Sequence, residues 1–105
     1  MEYPICGLSE VQIEELKQEH GVLILGTIKQ GGETFHAIFK EPTITVVEST
    51  SKISEKSQVK GGIALYDNCV IVADEAIKAR DFLKVKAVEA LGKHMTSFSV
   101  DVKNL

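Results

Sequence analysis

Arginine is nearly absent from this chain of 105 residues: Arg80 is the only one among 12 basic residues, the others being lysine. Arginine is the planar fork that reads phosphates and guanine edges, so its scarcity argues against a nucleic-acid partner. Tryptophan is missing, and Tyr3, Phe35, Phe39, Tyr66, Phe82 and Phe98 are the whole aromatic inventory. That is too little for the aromatic platforms and basic tracks that hold single-stranded nucleic acid. Cysteine is confined to Cys6 and Cys69, far apart and with no CxxC spacing, which excludes a zinc ribbon and a thioredoxin-like motif. No apolar run approaches the roughly 18 residues that span a bilayer. Met1-Glu2-Tyr3-Pro4 shows neither the charge nor the apolar stretch of a signal peptide, so a cytoplasmic protein without membrane association is expected.

What is present is ordinary for a globular protein. Hydrophobic residues make up 44% and charged residues 26%, and 15 acidic against 12 basic residues leave a net charge of -3. One domain over residues 1–105 is expected, burying roughly two thirds of its unfolded surface. Four stretches follow in order: an N-terminal arm at 1–8, a helix plus β-hairpin at 9–40, a mainly helical part at 42–95, and a C-terminal strand at 97–105.

The clearest local signal is Leu8-Ser9-Glu10-Val11-Gln12-Ile13. Ser9 and Gln12 have capping-box spacing, and Leu8 and Ile13 that of a hydrophobic staple, so a helix begins near Glu10 and ends at Gly21. Its apolar stripe, Ile13 and Leu16, is thin, so it must dock on something. Val22 to Lys29 and Glu33 to Lys40 then read as a hairpin around Gln30-Gly31-Gly32, with Phe35, Ala37 and Phe39 on one face. Val22, Leu23, Ile24 and Leu25 are apolar on both faces, which predicts cover on both sides of the first strand.

Thr43 to Val47 is β-branched enough for a strand, yet Val46, Val47, Thr50 and Ile53 have helical spacing after Pro42. Both readings stand, with helix preferred. Ser49 to Ser57 reads as a solvated helix end and loop. Val59, Ile63, Tyr66 and Val70 make the next helical stripe, across Gly61-Gly62, a pair suited to close approach of a neighbour. Asp74 is positioned to cap a short helix from Glu75 to Ala79. A stronger helix from Asp81 to about His94 carries Phe82, Val85, Val88, Leu91 and Met95. Phe98, Val100 and Val102 alternate with Ser99, Asp101 and Lys103, the pattern of a last strand that adds to the hairpin. The class is α+β, a small hairpin or three-stranded antiparallel sheet packed with four to five short helices.

Catalytic groups are hard to assemble from this inventory. His20, His36 and His94 occur in no metal-ligand spacing. His20 and His94 suit helix C-terminal ends, and His36 falls opposite Phe35 and Phe39. Both cysteines read most simply as buried or neutral thiols: Cys69 sits in an apolar run that quiets a thiol, and for Cys6, near the N-terminus, exposure alone would not be activation. No catalytic residue, cofactor or metal site is assigned, and a protein that works by binding another protein is expected.

The order of elements carries a resemblance. Ser9-Glu-Val-Gln-Ile-Glu-Glu-Leu-Lys-Gln-Glu-His-Gly21 is followed by a hairpin closing on Phe39-Lys-Glu-Pro-Thr43, then by a helix with Cys69-Val-Ile71 near its end. Over residues 8 to 91 this is similar to small tail assembly chaperones of tailed bacteriophages and prophages. Such sequences often begin with a helix ending in Lys-x-x-His/Tyr-Gly and continue with a hairpin closing on Phe-Arg/Lys-x-Pro-Thr. The chain departs from the pattern at Thr43 to Val47, at Val72-Ala73 in place of a proline, and at Phe98 to Val102. The resemblance implies a protein of the bacterial host cytoplasm that keeps the long, coiled tape-measure protein soluble until the tail tube polymerises around it.

An apolar patch that accepts an amphipathic helix would serve that role. By spacing, the candidates are Phe82, Val85, Val88 and Leu91 on one helix and Val59, Ile63 and Tyr66 on another; the competing expectation is that both stripes are core. Self-association of the chain is compatible with the same composition. Alternative functions are a structural tail or head-tail connector subunit, a protein-binding module of unrelated bacterial origin, and a small enzyme built around Cys6 or Cys69.

Overall fold

The computed structural model of the protein describes residues 2–105; Met1, the first residue of the arm, lies outside the described residues. Helix α1, Glu10–His20, starts as its sequence dictates. The Ser9 hydroxyl accepts from the Gln12 N–H at 3.3 Å, and the Gln12 side chain accepts from the Ser9 N–H at 2.8 Å. Gly21, at φ +79°, ends it, donating its N–H to the Lys17 carbonyl.

Strands β1, Leu23–Gln30, and β2, Glu33–Lys40, form the antiparallel hairpin. Gly31 and Gly32, at φ +55° and +83°, make the two-residue turn, a backbone that matches the twist of paired strands and that glycine adopts without strain. The pleat puts the pairs Ile24–Phe39, Gly26–Ala37 and Ile28–Phe35 on one face and Leu25–Ile38 on the other.

Each face is covered. On the first lies the main core, in which Ile24, Ala37 and Phe39 meet Tyr66, Ile77, Leu83, Ala87, Val88 and Leu91 from the helices. Under the second, Ile38 packs with Ile13 of α1 and Ile5 of the arm, flanked by Leu8, Leu23 and Leu25. The two-sided apolar start of β1 therefore has the physical cause read from it. The arm is ordered by a tight turn in which Ile5 and Leu8 exchange backbone hydrogen bonds of 3.0 and 2.8 Å.

The stretch after Pro42 is helical. Thr43 caps α2, Ile44–Lys56, by accepting from the Val46 N–H, and the buried hydroxyl of Thr50 is satisfied by the Val46 carbonyl at 2.8 Å. The solvated loop expected up to Ser57 is instead helix to Lys56. Ser57 alone joins α2 to α3, Gln58–Cys69, and caps the latter by accepting from the Lys60 N–H. A helical hairpin with so short a joint needs a close crossing, and Gly61 permits it: a Cβ there would lie 1.8 Å from the Ser54 hydroxyl.

The third strand differs from expectation. It is β3, Val70–Ala73, antiparallel to β2 in a sheet of order β1-β2-β3, with an irregularity between Ile38 and Phe39. Residues 97–105 form no strand; Phe98, Val100 and Val102 are exposed. The β-branched run after Cys69 wins because α2 and α3 carry it back to the free edge of β2, whereas alternation alone brings no edge to the C-terminal stretch. Helix α4, Glu75–Ala79, follows, and α5, Asp81–Met95, lies over β1. Gly26 allows the approach, since a Cβ there would meet the Ala87 carbonyl at 2.9 Å. Among the described residues, three antiparallel strands and five helices make a small α+β fold. Among the described residues, no helix is long and apolar enough to cross a membrane.

Candidate protein-binding groove

The two stripes singled out for partner binding divide between core and surface. Tyr66, Val88 and Leu91 are buried, Ile63 and Val85 half-buried, and Val59 and Phe82 exposed by 60% and 67%. The reason is helical geometry. Residues advance about 100° around the axis, so steps of three slip back by about 60° each, and Phe82 ends opposite Leu91. Leu83, Ala87, Val88 and Leu91 form the buried face of α5 instead. The patch expected from spacing is therefore corrected: three of its members are core, and Phe82 and Val59 stand on separate outer faces.

What the helices leave open is a groove of about 320 Å³ between the α2–α3 hairpin and α5. Val47 of α2, Leu65 of α3, and Val85, Val88 and Met95 of α5 wall it, with Gly61 and Gly62 lining the wall between them. Because Gly62 has no side chain, its nearest neighbours across the groove are the Val85 methyls, 3.6 Å from where a Cβ would stand. Ser51, Ser54, Gln58 and Glu89 give the rim hydrogen-bonding groups and one negative charge. An apolar trough with a polar rim suits the apolar side of an amphipathic helix. Of the residues expected to bind, only Val85 and Val88 line it; Val47, Leu65 and Met95 were not singled out, and the Gly61-Gly62 pair was the signal that pointed here.

The titratable groups make a second cluster that sequence spacing does not reveal. Asp74, expected to cap α4, makes no cap bond; its carboxylate accepts from the His36 backbone N–H at 2.7 Å, while its own N–H donates to the His36 carbonyl at 2.9 Å. The same carbonyl accepts from the Cys6 thiol at 3.2 Å, and the His36 ring stands 4.0 Å from Asp74. Cys6 is half-buried, because the Ile5–Leu8 turn folds it in. Burial first, then the Asp74 carboxylate, push the Cys6 thiol up to about 12 from an ordinary value of 9.0. Such a thiol stays protonated at neutral pH and is a poor nucleophile. Burial also raises Cys69 and Tyr66, the latter with help from Asp67.

His94, expected only to face a helix dipole, pairs its Nε2 with the Glu41 carboxylate at 2.6 Å and packs edge-on against Phe98. His20 stays at the end of α1 beside Glu19. Among the described residues no three His, Cys, Asp or Glu side chains converge to hold a metal ion.

Fold and groove together define a small α+β protein with an unfilled apolar trough between helices. Comparison with family models, with curated proteins and with solved structures returns no match for the chain.

Proposed function

We propose that this protein is a non-enzymatic chaperone or adaptor that receives an amphipathic helix of a partner protein in the groove between α2, α3 and α5. The observation that carries the reading is the trough itself, walled by Val47, Leu65, Val85, Val88 and Met95, with Gly61 and Gly62 in its lining. The element order from Ser9 to Leu91 supports a narrower form: the partner is the tape-measure protein of a tailed phage or prophage, bound in the bacterial cytoplasm. The resemblance implies a long, coiled tape-measure chain that has to be kept soluble until the tail tube polymerises around it. A groove with a polar rim shields an apolar helix stripe reversibly.

Co-expression tests this directly. The wild-type protein raises the soluble yield of the tape-measure protein from the same locus and co-purifies with it, and Met95→Glu, at a residue 38% exposed on the groove wall, abolishes both without unfolding the chaperone. No complex with the wild type removes the tape-measure reading. Mass spectrometry of purified particles separates a chaperone, which is absent, from a tail or connector subunit, which is present.

A further inference from the structure

β1 is an edge strand: its eight residues pair with β2 on one side and, among the described residues, with no strand on the other. An open edge of this length offers a row of backbone donors and acceptors to any extended segment. Beside it, between β1 and α5, runs a groove of about 410 Å³. Ile28, Ala87 and Ala90 give it an apolar floor, and Lys29, Lys86 and Lys93, with Glu89 between them, rim it. Ala87 is itself buried beneath β1, and the small side chain of the half-buried Ala90 leaves the space in the groove.

The same chain carries a segment with the pattern such an edge requires. Phe98, Val100 and Val102 alternate with Ser99, Asp101 and Lys103, yet they stand in solvent at 67%, 83% and 87% exposure. The molecule as a whole is also extended for its length, with a radius of gyration of 15.1 Å against the roughly 13 Å usual for such a chain.

We infer that residues 98–102 of one protomer add to the β1 edge of a second copy, giving a reciprocal strand-exchanged dimer. The protomer's own edge is the less suitable acceptor. His94 is bonded to Glu41, one residue past the Lys40 that pairs with Leu23, so the tail leaves α5 at the start of β1. Lying on its own edge it would run parallel to β1, whereas a second copy offers the antiparallel pairing that is more stable per residue. In the dimer Phe98, Val100 and Val102 face Ile28 and Ala90 on the α5 side, and Asp101, which alternation turns to the opposite face, meets Lys29. An exchange of identical segments about a two-fold axis closes the assembly at two chains. The dimer does not rest on the chaperone reading, whose groove lies on an adjacent face of α5 and shares only Glu89 with this one.

Light scattering on the full chain tests it, read with amide hydrogen exchange. The wild type is expected at twice the mass of one 11.5 kDa chain, with slowed exchange in both the tail and β1. Val100→Pro, which removes a ladder donor from an exposed segment, is expected to give a folded monomer with fast exchange at both places. Val100→Asp serves the same purpose by charge should the proline variant fail to fold. A wild type that is monomeric at 200 μM overturns the inference, whether or not its tail is protected. So does a dimer that survives both substitutions, since another surface must then hold it.

Discussion

Asp74 shows how much one side chain decides. Its carboxylate holds the His36 N–H where β3 ends against β2, and its charge helps keep the Cys6 thiol protonated. Asp74→Ala leaves that N–H without its charged acceptor, and a loss of about 1.5–3 kcal/mol is expected by urea unfolding, as for a hydrogen bond to a charged group. Asp74→Asn keeps an acceptor and removes the charge, so it costs less while lowering the Cys6 pKa; faster reaction with iodoacetamide at pH 9 is the readout. The proton on Cys6 also couples to stability. The folded chain retains it up to about pH 12, whereas the unfolded chain releases it near 9.0. The contribution is therefore complete below pH 9 and is lost as the pH climbs toward 12. Cys6→Ala should flatten that decline, measured as the difference in denaturant midpoint between variant and wild type over this interval. None of this was legible in the sequence, because Cys6, His36 and Asp74 are brought together by the arm, the hairpin and β3.

Elements were legible where their signals are local. The capping box of Ser9 and Gln12, the Gly31-Gly32 turn and the alternation of Phe35, Ala37 and Phe39 each involve residues within a few positions of one another, and each stands as read. Thr43 to Val47 was ambiguous because β-branched composition and helical spacing disagree there; the Thr43 cap and the packing of Val46 against the core resolve it. The glycine pair in α3 was legible as a place of close approach, but not which glycine faced what. The structure separates them, and stability measurements can check it. Gly62→Ala adds a Cβ at ordinary contact distance and is expected to stabilise by up to about 1 kcal/mol through helix propensity. Gly61→Ala would set a Cβ 2.8 Å from the Ser54 Cα, which no side-chain rotation relieves. Overpacking of that kind costs about 1–3 kcal/mol and outweighs the same propensity gain.

For the whole molecule the decisive matter is which apolar residues are core. Leu91 is fully buried between the helices and the sheet, and Leu91→Ala should cost about 2–5 kcal/mol in thermal or chemical unfolding. Phe82, assigned by spacing to the same stripe, is 67% exposed, and Phe82→Ala should change stability by no more than about 0.5 kcal/mol. Equal losses at the two positions would restore the stripe and contradict the fold. By itself the sequence determined the α+β class, the first helix, the hairpin with cover on both sides of its first strand, and the helical character of the stripe from Val59 to Tyr66 and of the stretch from Asp81 to about His94. Those features follow from capping, turn and periodicity, which act between near neighbours along the chain. Only the tertiary structure decided that Val70–Ala73 rather than Phe98–Val102 completes the sheet, that Val88 and Leu91 but not Phe82 enter the core, and that a groove opens between α2, α3 and α5. A strand needs an edge, and a helix face needs a neighbour; both are supplied by residues far away in sequence, which no local pattern specifies.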